Sequence, residues 1–384
     1  MAINIDDLRR RARRQLPRAV FDFVDGGAED ETTLRANRRA FQHLTFRPQA
    51  LVDVSRRDQS TTLLGQPVSS PLVIAPTGLP GLLWPRAEAA LARGAARRGI
   101  IYTTSTHASM TVEDVAASTS GPLWFQLYVL RDRDLIRRLI ERAKAAGYRA
   151  LVLTTDVPLL GQRERDLRNG ATIPPKITLR NVVDTIQHPG WVRRVLLGPP
   201  ITFRNFVGTS ASAGDDPVSL WSYISKQHDP SVDWDDLDWF RSLWNGPLAI
   251  KGIMTGEDAR RAVDHGVEAI IVSNHGGRQL DSLPAAIEAL PEVVDAVGDR
   301  AEVILDGGVR RGSDVVKAVA LGARACMIGR PTLYGLAAGG QPGVERAIAI
   351  LQAEIDRTLG LLGRPRLADL DRSALRWIGS YGAG

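Results

Sequence analysis

Along most of the chain, short apolar runs alternate with stretches of helical periodicity, the pattern of parallel strands joined by crossover helices. Eight runs read as strands: Leu72–Ala75, Ile100–Thr103, Leu123–Leu127, Ala150–Thr154, Leu248–Lys251, Ala269–Ser273, Glu302–Asp306 and Ala325–Ile328. Helical patterns follow most of them, as at Arg86–Arg98, Arg133–Ala146, Glu257–His265 and Ser313–Leu321. Eight such units are what an α/β fold of the closed (β/α)8, or TIM-barrel, kind needs. A doubly wound open sheet uses the same alternation, but it would carry a glycine-rich dinucleotide turn after an early strand, and this sequence has none. The expectation is one domain over 1–384, with the barrel at about 71–360, an N-terminal extension before it and a long insertion at about 158–233 after the fourth strand. The insertion carries the Gly- and Ser-rich tract Gly208–Gly214, and loops of this length in compact enzymes act as lids, binding segments or linkers.

Composition narrows the class. Apolar residues make up 44% and charged residues 24% of the 384, ordinary for a globular enzyme with a large core. The net charge of +6 and the run Arg9–Arg14 raise the question of nucleic acid or an anionic membrane. Arg9, Arg10, Arg13 and Arg14 fit instead the solvated face of a short helix whose apolar side holds Leu8 and Ala12. No basic stretch is interleaved with stacking aromatics, so no nucleic-acid partner is expected. A single cysteine, Cys326, excludes a disulfide framework and a cysteine metal cluster and points to a reducing compartment; no metal site is expected. The N-terminus lacks the apolar core of a secretory signal, and no run approaches about 18 uninterrupted apolar residues. The expected location is the cytoplasm, with peripheral contact on the membrane's cytoplasmic face as the alternative.

Barrel enzymes place their sites at the C-terminal ends of the strands, and here those ends are polar. They read Thr154, Thr155 and Asp156; Lys251; Ser273, Asn274 and His275; Asp306, Gly307 and Gly308; Gly329 and Arg330. The Asp306 to Gly308 turn followed by Arg310, beside Gly329 and Arg330, brings backbone donors and two guanidinium groups to the loops where barrels bind phosphate. Tight-turn glycines and surface arginines are the plainer alternative. If the phosphate is that of FMN, Lys251 reaches the N1 and C2 carbonyl edge of the flavin, where negative charge gathers on reduction. A Schiff-base role for Lys251 lacks a companion feature. His275 is placed to take a hydroxyl proton as a neutral base, with a carboxylate such as Asp156 holding its ring. The other five histidines lack such a setting and read as surface or core residues.

The segment Ser273–Asp281 (SNHGGRQLD) resembles the active-site signature of the FMN-dependent 2-hydroxy-acid oxidase and dehydrogenase family. Phe21–Glu31 (FDFVDGGAEDE), Ala75–Gly78 (APTG), Phe125–Tyr128 (FQLY), Thr154–Pro158 (TTDVP), Arg163–Arg168 (RERDLR) and Leu305–Arg311 (LDGGVRR) look like family motifs in the family's order. The resemblance spans Asp6 to Leu370. It implies that Pro76, Thr77, Gly78, Ser105, Gln126 and Thr154 border the flavin, and that Lys251, Ser273, Asp306, Gly308, Arg310, Gly329 and Arg330 hold its edge, ribityl chain and phosphate. It further implies that Arg163 and Arg278 clamp the substrate carboxylate, Tyr128 bonds near the substrate hydroxyl, His275 is the base and Asp156 supports it. The product is then a 2-oxo acid, the substrate the (S) acid, the oxidant a quinone or other acceptor or O2, and the assembly a homo-oligomer, a tetramer or octamer.

Three positions depart from the commonest family pattern. Phe23 stands where most relatives have a tyrosine that bonds the substrate carboxylate, which tilts the reading from a small acid such as lactate toward an aromatic, mandelate-like one. His107 stands where several oxidases have Trp, and reads as an entrance residue that accepts a polar substituent or as a solvated loop histidine. Gly78 matches dehydrogenase-like members, where oxidases often have Ala. The insertion looks like that of members that pass electrons to a respiratory membrane, so Trp191, Val192, Val195, Leu196 and Leu197 with Arg193 and Arg194 could lie on an anionic bilayer; a subunit contact or a site cover explains them equally. A flavoprotein acting on a peptide or another non-hydroxy-acid substrate is one remaining alternative, and it must explain why His275, Arg163 and Arg278 are all present; a non-enzymatic flavin-binding scaffold is the other, and it would have lost the base or an arginine.

Overall fold

The computed structural model describes residues 2–170, 178–198, 200–207 and 227–378. Helix α1 (Ile5–Gln15) is capped by Asn4, whose side chain accepts from the Asp7 N–H at 2.8 Å, and its acidic first turn and basic last turn complement the helix dipole. Its buried stripe of Ile5, Leu8 and Ala12 packs on the long helical segment Arg330–Leu362. Arg9 departs from the solvated role expected of it. It donates to both carboxylate oxygens of buried Asp25, at 2.6 and 2.7 Å, because α2 (Arg18–Asp25) ends against it. Helix α3 (Thr32–Arg39) then runs across the top of the barrel, where its buried Asn37 meets Asn274.

Strand β1 (Leu44–Phe46) pairs antiparallel with the terminal strand Leu375–Trp377, and β2 (Thr61–Leu63) with β3 (Gln66–Val68). Eight parallel strands follow: β4 (Leu72–Ile74), β5 (Ile101–Ser105), β6 (Leu123–Tyr128), β7 (Ala150–Thr154), β8 (Leu248–Ile253), β9 (Ala269–Ser273), β10 (Glu302–Asp306) and β11 (Ala325–Ile328). They close in the ring order β10-β11-β4-β5-β6-β7-β8-β9, the expected barrel, and each lies within two residues of its predicted run. Alternate side chains point inward: Val73, Ile101, Trp124, Val152, Ile271 and Met327 fill the barrel, and Leu63 and Val68 of the β2–β3 hairpin plug its N-terminal end. With that end sealed, the C-terminal rim is the open end of the barrel.

Strand β8 runs further than its apolar run because of a bulge between Lys251 and Ile253. Gly252 there has φ of 111°, and a Cβ on it would lie 2.7 Å from the Asp156 Cβ, so glycine lets the Asp156 segment close on the strand.

The insertion contains a helix, Leu179–Ile186, and a turn, Pro189–Trp191, that runs into one π-helical turn, Val192–Leu196. The proposed bilayer face is only partly a surface. Trp191 and Val195 are buried, and the Trp191 Nε1–H donates to the Leu82 carbonyl at 2.8 Å, so these two hold the insertion to the barrel. Arg194 stacks its guanidinium 4.7 Å from the Trp84 ring centroid. Leu196 and Leu197 do face outward, as do Leu179 and Ile186. The tract Gly208–Gly214 lies outside the described residues.

Candidate active site

A cavity opens at the C-terminal rim, bounded by the ends of the barrel strands, by α2 and by the insertion. At its centre the His275 Nδ1 lies 2.8 Å from an Asp156 carboxylate oxygen. Carboxylate contact at Nδ1 fixes the ring and leaves Nε2 for chemistry. His275 has φ of 56°, followed by Gly276 and Gly277, also at positive φ. Its N–H is held by the Ser273 hydroxyl at 3.0 Å, so the reversal that turns the imidazole into the cavity is fastened to the end of β9.

Lys251 is buried beneath, 3.0 Å from Asp306 and 4.0 Å from Asp156, and donates to Ser273 at 2.9 Å. Ser273 in turn donates to Asp306 at 2.8 Å. Burial penalises the Lys251 ammonium, but Asp306 and Asp156 outweigh it and raise its pKa above the ordinary lysine value. For Asp156 burial works upward, and His275 and Lys251 overcome it, leaving an ionised carboxylate with a depressed pKa. Burial holds His275 below 6.5 against the opposing pull of Asp156, so at neutral pH the imidazole is a neutral base beside a carboxylate that stabilises its protonated form.

Opposite His275, the ring of Phe23 on α2 lies 5.9 Å from the Arg163 guanidinium carbon and 5.4 Å from that of Arg278. Arg278 is further braced by donating to the Phe23 and Gly26 carbonyls at 2.8 and 3.0 Å. Burial, then Arg163, then Arg330, push the Arg278 pKa well down: this corner holds positive charge that an anion would relieve. Tyr128 closes the cavity, its ring centroid 6.5 Å from that of His275, and burial with Asp156 raises its phenol to about 12, so it remains a donor.

Of the residues expected to hold a cofactor, Pro76, Thr77, Gly78, Lys251, Asp306, Gly308, Arg310, Gly329 and Arg330 line the cavity. Ser105, Gln126, Thr154 and Ser273 are buried at neighbouring strand ends behind them, with Ser105 donating to Gln126 at 3.0 Å. The two arginines differ. Arg330 donates to the Val24, Gly276 and Gly26 carbonyls, whereas Arg310 keeps a buried Nε with no partner.

Two histidines correct the sequence reading. His107 is no solvated loop residue: it lines the cavity with its ring centroid 4.6 Å from that of Tyr128. His228, left among surface or core histidines, is buried in the same wall, 5.2 Å from the Tyr128 centroid. No local motif marks His228, because its segment returns to the site only by bridging Leu130 at the end of β6. Gln279 was also missed. Its side chain donates to the Asp156 and Leu159 carbonyls at 3.2 and 2.9 Å and accepts from Gly161, pinning the loop after β7.

The family model of the FMN-dependent dehydrogenases matches residues 12–377. The chain belongs to that family. It is 43% identical to the (S)-mandelate dehydrogenase of Pseudomonas putida over 97% of this chain and 93% of that one. It is 45% identical to the L-lactate oxidase of Nostoc sp. over 97% and 98%. The crystal structure of the monotopic membrane protein (S)-mandelate dehydrogenase superposes with a TM-score of 0.94, at 43% identity and covering 98% of this chain and 99% of that one.

As an FMN-dependent dehydrogenase or oxidase of 2-hydroxy acids, the protein must satisfy an anionic, hydrogen-bonding cofactor, and its unpartnered groups fit one. Thr77 Oγ1, Gln126 Nε2, Thr154 Oγ1 and Arg310 Nε are all buried without a protein partner. Leaving such atoms unsatisfied costs about 1–3 kcal/mol each, so their presence at the strand ends around the cavity fits a polar group bound there.

Proposed function

We propose that the protein oxidises an (S)-2-hydroxy acid with an aromatic, mandelate-like side chain to the 2-oxo acid, passing electrons to a quinone or similar membrane acceptor, with O2 as the alternative. The observation that carries this reading is the His275–Asp156 contact of 2.8 Å in one cavity with Arg163 and Arg278: a base beside two guanidinium groups able to take a carboxylate. Pro76, Thr77, Gly78, Ser105, Gln126, Thr154, Lys251, Ser273, Asp306, Gly308, Arg310, Gly329 and Arg330 would hold FMN. When bound, FMN supplies the two-electron acceptor. The substrate carboxylate binds Arg163 and Arg278, Tyr128 donates toward the substrate hydroxyl, and His275 takes the hydroxyl proton at Nε2 while Asp156 stabilises the resulting imidazolium. Lys251 keeps a positive charge at the cofactor edge where negative charge would develop.

Aromatic preference is supported by Phe23, which carries no hydroxyl for a small carboxylate, and by the apolar wall of Leu79, Leu83, Val157 and Phe203. The likeness to a mandelate dehydrogenase described as a monotopic membrane protein supports delivery of electrons at a membrane, through outward-facing Leu196 and Leu197. The test is anaerobic reduction of the yellow protein by (S)-mandelate and L-lactate, followed by admission of air. Bleaching by mandelate with slow reoxidation is the expected result. Rapid reoxidation would make the protein an oxidase, and no bleaching by either acid would overturn the reading.

A further inference from the structure

The C-terminus of α2 is shared by two guanidinium groups expected to meet different ligands. Arg278, on the substrate side, donates from Nη1 to the Phe23 and Gly26 carbonyls, and Arg330, on the cofactor side, donates to those of Val24 and Gly26. The Gly26 oxygen therefore takes both arginines, at 3.0 and 2.8 Å. The last carbonyls of a helix have no partner within it and carry partial negative charge, so they fix a cation without neutralising it. Among the described residues the hydrogen-bond partners of both arginines are all carbonyls, including that of Gly276 for Arg330, so both charges stay available to anions. Asp25 stands between Val24 and Gly26, is buried, and is used by none of the chemistry above. Its carboxylate accepts from Arg9 of α1 at 2.6 and 2.7 Å, from Tyr334 of the segment Arg330–Leu362 at 2.7 Å, and from Arg165 of the helix Glu164–Arg168 at 3.3 Å. Tyr334 lies one helical turn beyond Arg330, so this contact ties the end of α2 to the turn that carries Arg330. Burial opposes ionisation of Asp25, but Arg9 and then Tyr334 hold its pKa at about 2, so it is a carboxylate at neutral pH.

Resting on the reading of the cavity as a flavin-dependent 2-hydroxy-acid site, we propose that Asp25 is a positioning residue that sets cofactor and substrate binding together, by fixing the α2 carbonyls that hold Arg278 and Arg330. Phe23 and Val24 line the cavity, whereas Asp25 does not, so it acts through them. A ligand-binding side chain is as precise as the groups that lock its rotamer, and here one helix end locks two such side chains. Neutralising Asp25 removes one acceptor oxygen from a carboxylate whose two oxygens both serve Arg9, and weakens the ties to Tyr334 and Arg165. Both arginines then lose the same anchor. His275 and Asp156 are held separately, through Ser273 and their own contact, so the proton-taking pair stays in place.

The experiment compares the wild type with Asp25→Asn. It reads the Kd of FMN for the apoprotein from flavin fluorescence, and the Kd of phenylglyoxylate, the 2-oxo acid of mandelate, for the holoenzyme in excess FMN from the flavin spectrum. It also reads the limiting rate of anaerobic flavin reduction by (S)-mandelate. Both Kd values are expected to rise about tenfold, the effect of a hydrogen bond to a charged group, and the limiting rate to stay within about twofold. A merely structural role would lower the thermal midpoint and leave both constants where they are. Either Kd unmoved, or a limiting rate that falls as far as the affinities, overturns the proposal. If Asp25→Asn does not fold, Tyr334→Phe, which removes one hydroxyl and no charge, is measured in the same way. Both Kd values should then rise about threefold, and the same results overturn the proposal. If no acid reduces the flavin, the oxidation reading fails while the two Kd values still decide on Asp25; wild-type protein that binds neither FMN nor phenylglyoxylate overturns both.

Discussion

His275 carries its chemistry in a backbone conformation that side chains other than glycine rarely adopt, and it persists because Ser273, Asp156 and the paired amides of Asn37 and Asn274 hold both sides of the turn. Since burial keeps its pKa below 6.5, the rate of flavin reduction at low substrate should rise with pH through a midpoint below 6.5 and then level off. Asp156→Asn removes the group that pulls this pKa up, so the midpoint should move lower and the plateau fall about a hundredfold. An unmoved midpoint in a pH–rate series would separate Asp156 from the base. Phe23 is the second informative residue. Phe23→Tyr adds a donor to the carboxylate corner and should tighten apparent lactate affinity by about tenfold, the effect of a hydrogen bond to a charged group. No change in lactate affinity would mean that Arg163 and Arg278 suffice. The Asp-Gly-Gly and His-Gly-Gly strings were readable as site residues from sequence; His228 was not, because no neighbour in sequence marks it.

At the scale of elements, Gly308, expected to hold the cofactor, also serves packing, as does Gly277. Gly308 has φ of 79°, and a Cβ there would lie 2.0 Å from the Asn37 carbonyl oxygen; at Gly277 it would lie 2.5 Å from the Leu34 backbone nitrogen. Both glycines let α3 lie directly on the loops after β9 and β10. Gly308→Ala should therefore cost more than about 1 kcal/mol and lower the thermal midpoint, with bound flavin released earlier in the melt. A melt indistinguishable from wild type would show that α3 can shift without consequence. Strand positions were legible because inward and outward faces are both buried in a closed barrel, which makes each strand a continuous apolar run. The role of the N-terminal helices was not, since α1, α2 and α3 carry ordinary amphipathic patterns that say nothing of which partner they cover.

For the whole molecule, three histidines of the cavity have pKa values held below 6.5, with His107 near 3 and His228 near 4. Their unfolded counterparts take protons first as pH falls, so the stability they contribute is fully present above about 6.5 and is lost progressively toward pH 4. Asp25, lowered to about 2 by Arg9 and Tyr334 against its burial, adds a loss at still lower pH. The urea midpoint should be lower at pH 5 than at pH 7.5, and equal midpoints would mean that these histidines are protonated in the folded state. Among the described residues no helix is long and apolar enough to cross a membrane. Membrane contact, if made, uses a surface such as Leu179, Ile186, Leu196 and Leu197. Flotation with anionic vesicles at low salt is expected to carry the protein, and Leu196→Glu with Leu197→Glu to release it; failure of the wild type to float removes the membrane proposal.

The sequence by itself determined the barrel and the cofactor class, because each is encoded in short contiguous strings: apolar runs of strand length and glycine turns at strand ends, with His275, the proposed base, standing among them. Only the tertiary structure decided which distant groups meet. Arg9 with Asp25, Asn37 with Asn274, Phe23 between two guanidinium groups, and His107 beside His228 are joined by chain closure across the barrel rim. Such pairings are set by packing, which local pattern does not encode.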